Sequence, residues 1–220
     1  MEKITIDSVG KQFRDKKVLQ DISLECKKGE IVGIVGHNGC GKTVLFKCVC
    51  GLLRPTSGTI QLDDKVLGKD VDMLPSCGVI IEEPAFIGRY SAIKNLRLLY
   101  MVNQKKNENK LREVLTTVGL DPDSGKRVSK YSLGMRQRLA IAQAIMEDPE
   151  VLVLDEPMNG LDHNGVAQMR ELFLKLKEEG KIILMASHNK EDIEVLCDVV
   201  VSMENGRIID CNRKSESCKE

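Results

Sequence analysis

The chain has 220 residues, enough to bury a substantial core in one or two compact units. Its 33 lysines and arginines balance 33 aspartates and glutamates, so no overall field draws it to nucleic acid or to an anionic bilayer. Acidic residues interrupt the stretch from Met1 to Asp7 and no apolar run reaches membrane-spanning length, which predicts a soluble, unexported chain.

In chain order, Lys3 to Asp7 and Ile22 to Cys26 alternate apolar with polar residues, as half-buried strands do, and predict an antiparallel N-terminal sheet. Ile31 to Val35 is instead continuously apolar, the pattern of a parallel strand covered on both faces.

Directly after it comes Gly36-His37-Asn38-Gly39-Cys40-Gly41-Lys42-Thr43, then a helical start at Val44 to Lys47. This is a phosphate-binding loop in its proper strand-to-helix setting. Glycines let the backbone turn tightly, so that successive N–H groups converge on phosphate oxygens at a helix N-terminus whose dipole already favours an anion. Lys42 is expected to reach the β- and γ-phosphates and Thr43 to place its hydroxyl on Mg²⁺. Cys40 lies within the loop, so alkylation of its thiol is expected to block nucleotide binding.

Cysteines number eight. Those such as Cys40, Cys48 and Cys50 sit in apolar or phosphate-loop contexts, which fits a reducing compartment better than disulfides. Cys48-Val49-Cys50 is a close pair, but no histidine or second pair flanks it at zinc-finger spacing, so buried thiols are expected there.

Thr59 to Asp63 alternates again and is expected to join the N-terminal sheet. From about Ile93 to Met146 the pattern is helical, broken by Gly119 to Ser132, which predicts an inserted helical subdomain. The run Asn103 to Lys110 is expected to be solvated or frayed.

Val151 to Leu154 is a second continuous apolar strand, and Asp155-Glu156-Pro157 follows it. Ligands of open parallel sheets collect at such strand ends, so Asp155 is the candidate for the Mg²⁺ shell. Glu156 is the candidate to orient or deprotonate the attacking water. A third apolar strand, Ile182 to Ala186, leads to His188, which is placed to approach the γ-phosphate. Val199 to Met203 and Arg207 to Asp210 flank Asn205-Gly206 and predict a closing hairpin, with residues 211–220 a polar tail.

Tyr131-Ser132-Leu133-Gly134-Met135-Arg136-Gln137-Arg138 stands ahead of Ala140 to Ala144, about twenty residues before Asp155. With this segment the chain resembles the ABC ATPase family over nearly its whole length. The resemblance implies an α/β fold: a phosphate-loop NTPase with a RecA-like parallel-sheet core, an N-terminal antiparallel β-subdomain and an inserted α-helical subdomain. It implies a single ABC ATPase domain over residues 1–220. Residues 1–87 would form the β-subdomain and the phosphate-loop part of the core, 88–147 the helical subdomain, 148–210 the rest of the core and 211–220 the tail.

It further implies that two ATP molecules are buried between two head-to-tail domains, Ser132 and Gly134 of one meeting the γ-phosphate held by the other. Phe13 is similar to the aromatic that stacks on adenine, although a core phenylalanine would read the same way. Val18 and Val44 fall with the nucleotide contacts, Asn159 to Asp162 with the loop that crosses the dimer interface, and Ser187-His188 with the switch histidine.

Three positions depart from the family's common pattern. Leu133 and Met135 stand where glycine and glutamine are usual, and Glu82 replaces the glutamine that links Mg²⁺ to the helical subdomain. Glu82 is thereby a third candidate at the metal. These departures, with Asp155 to Asp162, resemble the branch that exports peptide antibiotics such as bacitracin and lantibiotics. The implied cofactors are ATP and Mg²⁺. The implied partners are a second copy of the subunit and a separate transmembrane permease, which would hold the chain on the cytoplasmic face of a membrane. Two other readings stay open: a soluble ABC ATPase of iron–sulfur cluster assembly, and a nucleotide switch without turnover, against which Lys42, Asp155, Glu156 and His188 argue.

Overall fold

A computed structural model describes residues 1–83 and 85–214 of the chain. Two long strands, β1 (Lys3–Phe13) and β2 (Lys16–Lys27), pair antiparallel with Ile4 opposite Cys26 and Ile6 opposite Leu24. The alternation of the sequence becomes a two-faced ribbon, with Ile4, Ile6, Ile22, Leu24 and Cys26 all buried on one side. β4 (Ser57–Leu62) joins β1 on its other edge, Ile60 opposite Ile6, and β5 (Lys65–Val66) completes the four-stranded sheet β2-β1-β4-β5.

The second sheet is built from β3 (Ile31–Val35), β6 (Cys77–Ile80), β7 (Val151–Asp155), β8 (Ile182–Ala186) and β9 (Val199–Glu204), all parallel. β10 (Arg207–Arg213) closes one edge antiparallel, giving the order β10-β9-β3-β8-β7-β6. Successive residues of the central strands enter different cores. Val151, Val153, Ile182 and Leu184 pack toward the first sheet, whereas Leu152, Leu154, Ile183 and Met185 pack toward helices. Burial on both faces is why these strands read as unbroken apolar runs.

Around this sheet lie α1 (Lys42–Val49), α2 (Ala92–Asn103), α3 (Glu108–Thr117), α4 (Leu133–Ile145), α5 (His163–Glu178) and α6 (Lys190–Leu196), with a short 3-10 turn at Val128–Lys130. The expected helical stretch between the phosphate loop and β7 is present, and its break at Gly119 to Ser132 holds that turn. No helix among the described residues is long and apolar enough to cross a membrane.

Several sequence expectations change. Asn103 to Lys110 is not simply frayed, because the Asn107 side chain accepts a hydrogen bond from Lys110 N at 3.1 Å and caps α3, while Arg97 pairs with Glu108 to tie α2 to it. β10 extends through Cys211 to Arg213, opposite Val201 to Val199, so those three residues belong to a strand rather than to a tail. Residues 215–220 of the expected tail lie outside the described residues. β6 was not foreseen; it is four residues long, and Gly78 within it passes so close under α4 that a Cβ there would meet Ala144 O at 2.0 Å. The hairpin is as expected, with Asn205 and Gly206 both at positive φ. Cys48 on α1 and Cys50 at its C-cap are buried in the core, and burial pushes the Cys48 thiol up to about 11.

Candidate functional site

The loop from Gly36 to Gly41 leaves the C-terminal end of β3 and feeds α1, whose N-cap, Gly41, has φ 115°. A side chain at Gly41 would be strained, and its Cβ would meet Leu19 and the Val18 carbonyl at 2.9 and 3.1 Å. At Gly36 a Cβ would stand 2.3 Å from Met203 O, so β9 excludes anything larger than glycine there. Lys42, only 8 % exposed, folds back to donate to the carbonyls of Gly36 (2.7 Å) and His37 (3.3 Å). Cys40 is 1 % exposed with its sulfur 4.0 Å from Lys42 Nζ, so its thiol faces the core and is shielded from alkylation while the loop keeps this shape.

Thr43 Oγ1 donates to Asp155 Oδ2 at 2.6 Å, joining the first turn of α1 to the end of β7. The next residue, Glu156, takes a left-handed backbone conformation, φ 51°, and its N–H is fixed by Ala186 O at 3.0 Å. Such a backbone is costly for a residue with a side chain and aims the carboxylate out of the strand. Glu156 Oε2 lies 2.7 Å from His188 Nδ1 and accepts also from the His188 backbone N–H at 3.3 Å.

These groups open on a cleft of about 710 Å³. Of the residues expected from the sequence, Val18, Asn38, Gly39, Gly41, Lys42, Thr43, Val44, Glu82, Asp155 and Glu156 line it. Glu82, at φ 63°, directs its carboxylate to Lys47 Nζ at 2.6 Å. Phe13 is not among the lining residues; it is 43 % exposed at the end of β1, with Lys11 Nζ 5.1 Å from its ring centroid.

Ser132 is the N-cap of α4, its hydroxyl accepting from Met135 N at 3.2 Å. Neither it nor Gly134 lines the cleft, but Leu133 of the same turn does. Leu133 packs over Gly160, where a Cβ would come within 2.5 Å of it, and a Cβ added at Gly134 would stand only 2.9 Å from Gly160 O. Lys47 and Gln137 were missed from the sequence. Lys47 lies one helical turn beyond Thr43, and Gln137, one turn beyond Leu133, donates to Pro157 O at 2.7 Å.

A backbone loop and a lysine at a helix N-terminus can hold a polyphosphate. The hydroxyl of Thr43 and the carboxylates of Asp155 and Glu82 are hard oxygen donors of the kind that hold Mg²⁺. A carboxylate backed by a histidine can take a proton from water.

The family model for ABC transporters matches residues 19–159. The chain belongs to the ABC transporter family. An uncharacterized ABC transporter ATP-binding protein of Bacillus subtilis, YybJ, is 40% identical to this ABC chain, with 93% of the chain and 94% of that protein covered. The bacitracin transport ATP-binding protein BcrA of Enterococcus faecalis is 38% identical, covering 94% of the chain and 68% of BcrA. The lantibiotic transport ATP-binding protein SrtF of Streptococcus pyogenes is 32% identical, with 94% and 89% covered. Among solved structures, the dimeric bacterial ABC transporter cassette MJ0796 superposes with a TM-score of 0.87 at 21% identity, over 96% of this chain and 99% of that one, and so shares the fold. The sheet order and the placement of α1 are therefore those of an ABC ATPase cassette.

Proposed function

We propose that the chain hydrolyses Mg·ATP to drive a transporter that exports peptide antibiotics or drug-like compounds. The observation that carries this reading is the convergence of the phosphate loop, Asp155 and Glu156 on one cleft. Its likeness to the bacitracin and lantibiotic transport ATP-binding proteins supports the choice of cargo.

In this reading Gly36, His37, Asn38, Gly39, Cys40 and Gly41 present the loop to the phosphates, and Lys42 reaches the β- and γ-phosphates. Val18 and Val44, which line the cleft, would meet the adenine, and Phe13, exposed at the end of β1, would stack on it from outside that lining. Thr43, Asp155 and Glu82 would hold Mg²⁺, which would neutralise part of the polyphosphate charge. Glu156 takes the proton of a water that attacks the γ-phosphorus as the bond to ADP breaks. His188, hydrogen-bonded to Glu156, keeps that carboxylate aimed. Ser132 and Gly134 close on the γ-phosphate held by a second copy arranged head to tail, so that ATP stabilises the closed pair over the open one.

The motion passes through the helical subdomain to a separate permease at the cytoplasmic face of the membrane. Leu98, Leu99, Met101 and Val102 on α2 are exposed apolar residues suited to such a contact. The test has two arms: phosphate release by the purified chain with Mg·ATP, and co-isolation of the tagged chain from detergent-solubilised membranes. Release of phosphate and recovery of a multi-spanning subunit are expected. Absence of release, or recovery only in a soluble cluster-assembly complex, overturns the reading.

A further inference from the structure

His188 stands on a short turn between β8 and α6, and its side chain is 72% exposed. Packing therefore does little to fix the ring, and its orientation depends on its direct contact with Glu156 and on the turn beneath. That turn is clamped on both sides of His188. The Ser187 hydroxyl accepts from Asn189 N at 3.1 Å and donates to Asp192 Oδ2 at 3.3 Å. Asn189 in turn accepts from Glu191 N at 2.9 Å.

Asp192 is 3 % exposed and Ser187 5 %, so neither is held by water. A buried carboxylate of this kind needs a cation, and Arg170 of α5 provides one. Its Nε and a terminal nitrogen donate to Asp192 Oδ1 at 2.9 and 2.5 Å, and its other terminal nitrogen donates to Glu191 at 2.9 Å. The guanidinium fork thus grips two consecutive acidic residues of α6, and the far oxygen of one of them receives the hydroxyl of Ser187.

We propose that Arg170 and Asp192, acting through Ser187, are positioning residues for His188, setting the ring so that its Nδ1 meets Glu156. The inference rests on the roles given above to Glu156 and His188, and it adds a chain of contacts that runs from α5 to the hydrolytic end of the cleft. An error of about 1 Å at a reacting group costs on the order of a hundredfold in rate. A loosened turn is therefore expected to act on turnover and not on nucleotide affinity.

The chain has three histidines, His37, His163 and His188, so the imidazole nitrogens of ¹⁵N-histidine-labelled protein can be assigned by single substitutions. In the unsubstituted chain the His188 ring is expected to hold one tautomer, with the proton on Nδ1. Ser187→Ala leaves the Arg170–Asp192 pair intact and is expected to shift those nitrogens toward the averaged values of free imidazole. It should also lower kcat about tenfold while KM for ATP moves less than about twofold. Arg170→Ala should do the same and Arg170→Lys should recover part of both.

A Ser187→Ala protein with an unchanged ring signal, or with unchanged kcat, overturns the proposal and leaves Arg170 as a staple between two helices. Should Arg170→Ala fail to fold, Ser187→Ala decides alone. The ring signal is read without nucleotide, so a chain that never hydrolyses ATP would reveal itself separately, by absent phosphate release with the ring coupling intact.

Discussion

Lys47 Nζ lies 2.6 Å from Glu82 Oε1, so this carboxylate at the cleft is met by a cation from α1. Glu82 shares the cleft with Asp155, so a second negative charge there would be unfavourable beside the phosphates of the proposed ATP, and Lys47 offsets part of it. Glu82 is well exposed, which keeps the pair's contribution to stability within about 1 kcal/mol. Its effect should therefore fall on ATP turnover and not on melting.

Lys47→Met is expected to reduce steady-state ATPase activity several-fold, because Glu82 is left as an uncompensated negative charge. Glu82→Gln should keep or raise activity, and Lys47→Met with Glu82→Gln should return close to the unsubstituted rate. Phosphate-release kinetics on the four proteins measure the coupling directly. Equal rates for Lys47→Met and the unsubstituted chain would remove Lys47 from the site.

Glu156→Gln keeps the size and the contact to His188 but cannot accept a proton from water. It is expected to bind ATP as before, to hydrolyse it about a hundredfold or more slowly, and to accumulate as dimers when ATP is present. Fluorescent-nucleotide titration and size-exclusion chromatography with light scattering follow both effects. Full activity in this variant would take Glu156 out of the hydrolytic role.

Much of this arrangement was legible because it is local. The phosphate loop carries its own geometry in eight consecutive residues, and Asp155 ends, and Glu156 follows, a strand whose burial on both faces is written in its composition. What escaped depends on contacts between distant segments. Lys47 and Glu82 are 35 positions apart and meet only because β6 delivers Glu82 beside α1. β6 itself is short and contains Cys77 and Gly78, which gives it no period to detect. α5 did carry a signal, since Val166, Met169, Phe173 and Leu176 recur at helical spacing after the Asp162 cap, but Gly165 and many charges dilute it. Cys40 read as an accessible loop thiol because nothing local says that the turn folds its sulfur inward.

The Thr43–Asp155 hydrogen bond of 2.6 Å sets two oxygen donors side by side at the phosphate loop. Chelation of divalent metal is expected to abolish hydrolysis. Thr43→Ala, which loses one of the two donors, should raise the Mg²⁺ concentration for half-maximal activity about tenfold, whereas Thr43→Ser should stay near the unsubstituted value. A Mg²⁺ titration of ATPase activity tests this, and a Thr43→Ala curve that overlies the parent curve would place the metal elsewhere.

Leu133 and Gly160 form a matched pair across the turn that starts α4 and the loop after β7. Leu133 brings bulk to one side of this contact, which requires space on the other, and Gly160 provides it at φ 76°. A Cβ at Gly160 would come within 2.5 Å of both Leu133 Cγ and Cδ2 and would sit on a backbone that disfavours side chains. Gly160→Ala is therefore expected to cost about 1–2 kcal/mol, part from backbone strain and part from overpacking. For a chain of this size that corresponds to a fall in melting temperature of roughly 3–6 °C. Leu133 is half exposed and its end can swing away, so the two contributions separate by experiment. Leu133→Ala alone should change the melting point little, and the double substitution should lose less than Gly160→Ala does, because only the backbone strain remains. Nucleotide-free thermal unfolding of the three variants measures this, and a Gly160→Ala protein that melts with the parent would show that the loop accepts bulk and that Leu133 needs no opposing glycine.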